Sequence, residues 1–257
     1  MKDETVITRN LAQGARVVDS LIKKPSRLSR MGLIYGLWGY GKTFFIQWIY
    51  SNVVCFYCCA KTVWARSTVM MVEDFLSAFR VEPSGRLRQD FRELIRAAKK
   101  NHAPLILDEA DRIVRKTELV ELVRDIHDFA QIPVILVGQE NIINLLHRRN
   151  MGSVFSRITE IYEFQPLDIT DVQQVAKQLC ELECHIETAS FIRTVCLGDF
   201  RLLNTLLEKA ENLCHLNNKA EITMAIAKEA ASTLPERGRI DLTGKDQTET
   251  SGKLKVA

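Results

Sequence analysis

Apolar residues recur along this chain in two rhythms. Up to about residue 164, short apolar runs alternate with stretches of helical period; beyond residue 167 the helical period continues alone. The pattern predicts a helix over residues 10–22, ended before Pro25, and a strand from Gly32 to Gly36 that runs into a glycine-rich turn. A helix from Lys42 to Ser51, a strand over Val53–Cys58 and a helix over Val69–Arg80 follow. Past the turn at Glu82–Gly85, the spacing gives a helix from Leu87 to Asn101, a strand over Pro104–Asp108 and a helix over Glu118–Ala130. A strand at Ile132–Val137, a helix near Asn141–Arg149 and a strand near Glu160–Phe164 close the series. Strands separated by helices imply a parallel sheet covered on both faces.

After Gln165-Pro166-Leu167 the expected helices are Asp171–Leu182, Thr188–Cys196, Phe200–Leu216 and Glu221–Ser232, with Asp168, Thr170 and Asp199 as candidate N-caps. A helical unit of roughly 65–70 residues is small enough to need the first for support. The tail beyond Pro235 is polar and expected to be disordered. The expected divisions are residues 1–30 (N-terminal helix and basic linker), 31–166 (α/β domain), 167–234 (helical lid) and 235–257 (tail).

Composition excludes more than it identifies. With 46% apolar and 26% charged residues, the 257-residue chain is an ordinary globular one, neither disordered nor low in complexity. Its apolar runs fall well short of the ~18 residues of a membrane span, and the charged Lys2, Asp3 and Glu4 with no apolar h-region after them predict no signal peptide. A soluble, cytoplasmic chain with no membrane partner is expected. Seven cysteines, an odd number without a disulfide framework, suit a reducing compartment. Cys55, Cys58 and Cys59 read as part of a buried strand, and Cys180 and Cys184, one helical turn apart, as helix-core residues. His102, His127, His147 and His185 supply no second ligand pair for zinc. The net charge of +3 does not announce nucleic acid, although cations gather between Arg16 and Arg30 and between Arg80 and Lys100.

Chemistry enters at Gly36-Leu37-Trp38-Gly39-Tyr40-Gly41-Lys42-Thr43, a full match to the P-loop pattern between an expected strand and helix. Such a loop, continued into Phe44, turns backbone N–H groups toward phosphate oxygens. Lys42 supplies charge to the outer phosphates, and the Thr43 hydroxyl reaches Mg²⁺. Downstream, Leu105-Ile-Leu-Asp108-Glu109 ends a buried run in two carboxylates. Asp108 is placed to hold the metal and Glu109 to polarise an attacking water. Gln139 follows the fourth expected strand and is a candidate to orient that water. Arg157, in Ser156-Arg157, could reach a neighbouring subunit's nucleotide, with Arg148 and Arg149 as competitors. Arg201, opening a helix in Gly198-Asp-Phe-Arg201, is a candidate to close the second domain over the phosphates.

Together these motifs resemble those of AAA+ ATPases, and more narrowly the MuB/TnsC/TniB group of transposition ATPases. The narrower resemblance lies in Leu-Ile-Leu-Asp108-Glu109-Ala-Asp111-Arg112, Asp125-Ile-His-Asp128, Pro133-Val-Ile-Leu-Val-Gly138 and Phe155-Ser-Arg157-Ile, and covers about residues 10–232. It implies an α/β P-loop AAA+ core with a five-stranded parallel sheet and a small C-terminal helical lid. It also implies an Mg²⁺-dependent ATPase that binds duplex DNA without sequence preference and assembles head to tail as a ring or filament. Such proteins select the transposition target and recruit or stimulate the transposase. DNA-facing positions in similar proteins map here to Lys61 and Arg66–Thr68 and to Ser84–Arg88, with Arg66, Thr68, Arg86 and Arg88 as the DNA-binding candidates. The alternative is an AAA+ ATPase of replication-loader or secretion-associated type acting on another partner.

Overall fold

β1 (Met31–Gly36), β2 (Phe56–Cys59), β3 (Leu105–Asp108), β4 (Val134–Gln139) and β5 (Ile158–Glu163) form one parallel sheet in the order β2-β3-β4-β1-β5. This is the five-stranded sheet expected from the alternation of strands and helices. The structure, a computed structural model, describes residues 2, 4–148 and 151–234. Arg149 and the tail from Pro235 onward lie outside the described residues.

The central strands β3 and β4 are buried almost throughout, which is why their sequences read as unbroken apolar runs. Their side chains still alternate. Leu33, Leu105, Leu107 and Leu136 join a core with Phe75, Leu94 and Val123, whereas Ile34, Ile106, Ile135 and Val137 join another with Leu11, Val18 and Phe45. The first core is closed by α3 (Thr68–Ala78), α4 (Leu87–Asn101) and α6 (Thr117–Ala130), the second by α1 (Arg9–Lys23) and α2 (Lys42–Asn52). Thr8 caps α1, its hydroxyl oxygen accepting from the Leu11 N–H at 3.3 Å. Gly14 lets α1 approach α2 closely, since a Cβ there would stand 2.7 Å from the Phe45 ring.

The edge strands depart most from the sequence expectation. β2 begins at Phe56, and Val54 is 87% exposed, so Val53–Cys55 are not buried strand. A strand paired on one side only has fewer neighbours to hold its ends. β5 starts at Ile158 rather than Glu160, and β4 extends to Gln139. α3 stops at Ala78, and Arg80 beyond it adopts a left-handed φ of 58°. A 3₁₀ turn at Thr62–Ala65, α5 (Asp111–Val114) and α8 (Gly152–Phe155) were not expected, because one turn is too short to show a period. α7 (Ile142–Arg148) lies close to its expected place.

The chain divides into two compact units. Ile7–Pro166 make the α/β unit, so α1 belongs to it and is not part of a separate N-terminal segment. The other unit combines the residues before Ile7 with the chain from Leu167. It contains α9 (Ile169–Leu179), α10 (Ile186–Cys196), α11 (Phe200–Leu216) and α12 (Met224–Ser232), built on buried Val175, Ile192, Leu203, Leu207 and Ala227. Asp168 caps α9 in a reciprocal box with Asp171, and Asp199 caps α11. Thr170 is not a cap; its hydroxyl donates to Asp168 at 2.6 Å. α9 ends at Leu179, which leaves Cys180 as its C-cap and Cys184 in the connecting segment. The two cysteines therefore do not share a helix face.

Candidate functional site

The parallel register brings the carboxyl ends of the inner strands to one edge of the sheet. Gly36 lies opposite Gln139, and Cys59 opposite Asp108. β4 stands between β1 and β3, so Gln139 falls between the glycine-rich turn and the Asp108-Glu109 pair. Open α/β sheets bind ligands at such an edge.

The turn itself is built by backbone freedom. Gly39 and Gly41 have φ of 83° and 92°, and Gly41 starts α2 with no side-chain cap. A Cβ on Gly36 would lie 2.9 Å from the Phe164 carbonyl oxygen. The Lys42 ammonium is buried and donates to the turn's own carbonyls, Gly36 O at 2.6 Å and Leu37 O at 2.8 Å, with Gln139 Oε1 at 3.5 Å. Burial pushes its pKa down, against the pull of Asp108, Glu109, Asp111 and Glu140. A buried cation resting on carbonyls beside an uncapped helix start fits a polyphosphate in both charge and donor set. Thr43 is exposed on the first turn of α2, Phe44 is half-buried, and Trp38 is 73% exposed at the turn's tip.

Asp108 is buried, with Oδ1 accepting the Glu109 N–H at 2.8 Å. Burial, then the charge of Glu109, raises its pKa, while that N–H and Lys42 oppose the rise. Glu109 has a left-handed φ of 53°, a strained conformation for a residue with a side chain. The strain is held from both sides. Ala110 N–H donates to Val137 O at 2.8 Å, and Arg112 pairs with Glu109 at 3.3 Å and donates to Ala60 O at 3.1 Å. Mg²⁺ is commonly bound through one or two carboxylates, water and substrate phosphates. Thr43 and Asp108 suit that mode, and among the described residues no dedicated cluster of three or more metal-ligating side chains occurs.

Two supporting residues were not singled out from sequence. Asp111 Oδ1 accepts the Gln139 N–H at 3.1 Å and ties the end of β4 to the carboxylate turn. Asn10 is buried on α1; its Nδ2 donates to Gln165 O at 2.7 Å and Tyr40 O at 3.4 Å, and its Oδ1 accepts from Gln165 N–H and the Tyr162 hydroxyl. The signal that could have found it is an amide on the apolar stripe of Leu11, Gly14, Val18 and Leu21.

Arg157 lies far from this edge. It immediately precedes β5, whose first residue pairs with Met31, so it stands at the amino edge of the sheet. A six-residue strand, about 20 Å at ~3.3 Å per residue, separates the two edges. There its guanidinium grips Asp128, Nε at 2.9 and 2.8 Å from the two oxygens and Nη2 at 2.7 Å. Arg148 is exposed at the end of α7. Arg201 is exposed in the first turn of α11, its N–H donating to Asp199 at 2.7 Å, and belongs to the helical unit.

The candidate DNA residues fall into two groups. Arg66 and Thr68 line a cleft of about 380 Å³ with Trp64, Ser67 and Lys116. α3 and α6 both start in this cleft, and neither Ser67 nor Lys116 provides a side-chain cap. Lys116 was missed in the sequence because it lies some fifty residues from Arg66 (116 − 66). Arg86 and Arg88 are exposed at the start of α4, outside the cleft lining. Lys61 is taken by Asp74 at 2.7 Å.

Residues 26–146 match the family model of an AAA domain. Among solved structures, the ORC2 protein of Aeropyrum pernix, in ADPNP-ADP complexes, is similar at a TM-score of 0.70. It is 13% identical and covers 91% of this chain and 70% of its own. The ORC1 protein of the same organism, in complex with DNA, gives 0.59 at 15% identity, over 89% of this chain and 66% of that one. The RuvB Holliday junction branch migration motor of Thermotoga maritima gives 0.58 at 18%, over 90% and 71%. No curated protein sequence matches the chain. The fold is that of a P-loop AAA+ core with a C-terminal helical region. No helix among the described residues is long and apolar enough to cross a membrane.

Proposed function

We propose, from this AAA domain, that the chain is an Mg²⁺-dependent ATPase that assembles head to tail on duplex DNA and regulates transposition. The observation that carries the ATPase reading is the buried Lys42 ammonium on its own loop's carbonyls, with only β4 between that loop's strand and the strand that ends in the Asp108-Glu109 pair. In this reading the backbone from Gly36 to Phe44 cradles the phosphates, and Lys42 moves from those carbonyls to the outer phosphate oxygens. Mg²⁺, held through Thr43 and Asp108, would neutralise charge on the β- and γ-phosphates. Glu109 accepts a proton from the attacking water, its backbone held in the left-handed turn. Gln139 orients that water, Arg157 of a second copy stabilises the developing charge, and Arg201 closes the helical unit over the nucleotide.

For DNA, the support is the cleft where Arg66, Ser67, Thr68 and Lys116 converge, with Arg86 and Arg88 as further phosphate contacts. Contacts of this kind are indifferent to base sequence. The transposition role and its transposase partner are supported by the sequence resemblance. A second reading, an origin-binding or replication-loader ATPase, is favoured by the likeness in fold to the ORC proteins.

The test is an ATPase and DNA-retention assay with duplex DNA. Lys42→Ala should abolish ATP-dependent retention, and Glu109→Gln should hold ATP and prolong it. Arg66→Ala and Lys116→Ala should each lower the slope of log affinity against log salt by about 1. Retention indifferent to nucleotide and to Lys42→Ala would overturn the reading. Stimulation of turnover by the transposase, against stimulation by a replicative helicase, separates the two roles.

A further inference from the structure

We propose that Asp128 is a positioning residue for Arg157, holding its guanidinium ready for the nucleotide of an adjoining copy of the chain. The proposal rests on the trans-acting reading of Arg157 given above and deepens it.

Arg157 and the glycine-rich turn lie at opposite edges of the same sheet, a full strand apart, so Arg157 does not serve the nucleotide of its own chain. A long side chain on a surface would ordinarily sample many rotamers, and ordering it on docking would cost entropy. Here it is ordered before any docking. Nε and Nη2 form a fork on the Asp128 carboxylate, and Nη1 donates to Ser153 O at 2.5 Å. The backbone beneath is fixed as well. Arg157 N–H donates to Val154 O at 3.0 Å, and the Ser29 hydroxyl donates to Arg157 O at 2.6 Å.

Asp128 in turn is anchored to the sheet. Arg30 N–H, just before β1, donates to His127 Nε2 at 3.1 Å. That leaves the ring proton on Nδ1, which lies 2.8 Å from Asp128 Oδ1. Burial lowers the pKa of His127 and keeps the ring neutral in this role. The order therefore runs from the start of β1 through an imidazole and a carboxylate to the guanidinium. One N–H on each terminal nitrogen of Arg157 has no partner among the described residues, and the side chain remains 32% exposed. Those two donors are what a phosphate of a second copy would meet.

The experiment measures DNA-stimulated ATP turnover of the full chain at saturating protein. Asp128→Asn keeps the shape and removes the charge; Asp128→Ala is the second variant should the first retain the fork. Each is expected to lower kcat about tenfold with little change in KM for ATP, because the ATP contacts lie on the other edge. Combining either with Arg157→Ala should give no loss beyond that of Arg157→Ala alone. The decisive readout is mixing. Glu109→Gln protein offers an ordered Arg157 while turning over no ATP of its own, so adding it to Asp128→Asn protein should restore turnover above the sum of the two. A structural defect in Asp128→Asn would not be repaired by a neighbour. No recovery on mixing, or additive losses in the double variant, overturns the role of Asp128. The control is Arg157→Ala mixed with Glu109→Gln. If that pair recovers and the Asp128→Asn pair does not, only this proposal fails; if neither recovers, the trans reading of Arg157 fails with it.

Discussion

At the carboxyl edge of the sheet, burial lowers the pKa of the Lys42 ammonium and raises that of the Asp108 carboxyl. At the amino edge the Arg157–Asp128 pair shifts in the opposite sense. The fork with Asp128 raises the pKa of Arg157. Burial alone would raise that of Asp128, but hydrogen bonds from Arg157 and His127 outweigh it and lower it. One edge holds charges in surroundings that disfavour them, next to a glutamate in a left-handed turn. The other holds charges that satisfy one another. The difference teaches how to separate a ligand site from a framework when both are rich in ions: the first is at odds with itself until something else binds.

Binding measurements would break this comparison most directly. Lys42→Ala should weaken ATP binding at least about a hundredfold by calorimetry, since the phosphates lose their main point charge. Arg157→Ala should leave it within about twofold. Equal losses in the two variants would erase the distinction between the edges. A smaller effect concerns stability. The pKa of Asp108 is raised in the fold, so its stabilising contribution exists below the unfolded carboxylate value and is lost as pH rises through the folded value. At neutral pH the buried charge is a burden, and Asp108→Asn should raise the unfolding midpoint by about 2–4 °C, on the order of 1 kcal/mol, while abolishing turnover. A lower midpoint in that variant would contradict the assigned tension. The smallest effect is at the other edge. The pKa of Asp128 is lowered, so its contribution is present above the ordinary carboxylate range and is lost as pH falls through the folded value. Unfolding free energies of wild type and Asp128→Asn from denaturant titration should differ by no more than about 1 kcal/mol at pH 7, because the pair is about one-third exposed, and converge as pH falls below the ordinary carboxylate range.

The ligand edge was the more legible of the two in the sequence. Gly36, Gly41, Lys42 and Asp108 advertise themselves because each residue type is required by the backbone or the phosphate at a fixed spacing. The central strands were legible for a similar reason, since burial on both faces leaves little but apolar choices. β2 was misjudged because Val53-Val54-Cys55 is as apolar as a core strand, and composition does not reveal that its outer side has no partner strand among the described residues. Asp111, Asn10 and Lys116 act through tertiary neighbours some thirty to more than 150 residues away, a relation no local window carries. The His127-Asp128-Arg157 relay was visible only as separate fragments, because folding brings its members together from the end of one helix and the start of a strand.

The separation of Arg157 from the glycine-rich turn has a last consequence for any open row of copies. In the proposed trans arrangement each copy would lend a finger forward and borrow one from behind, so one terminal copy would always lack its lender. Short rows would spend ATP slowly per chain and long rows quickly. The unserved terminus would keep its fuel, leaving the row to be eroded from within while that end stays loaded.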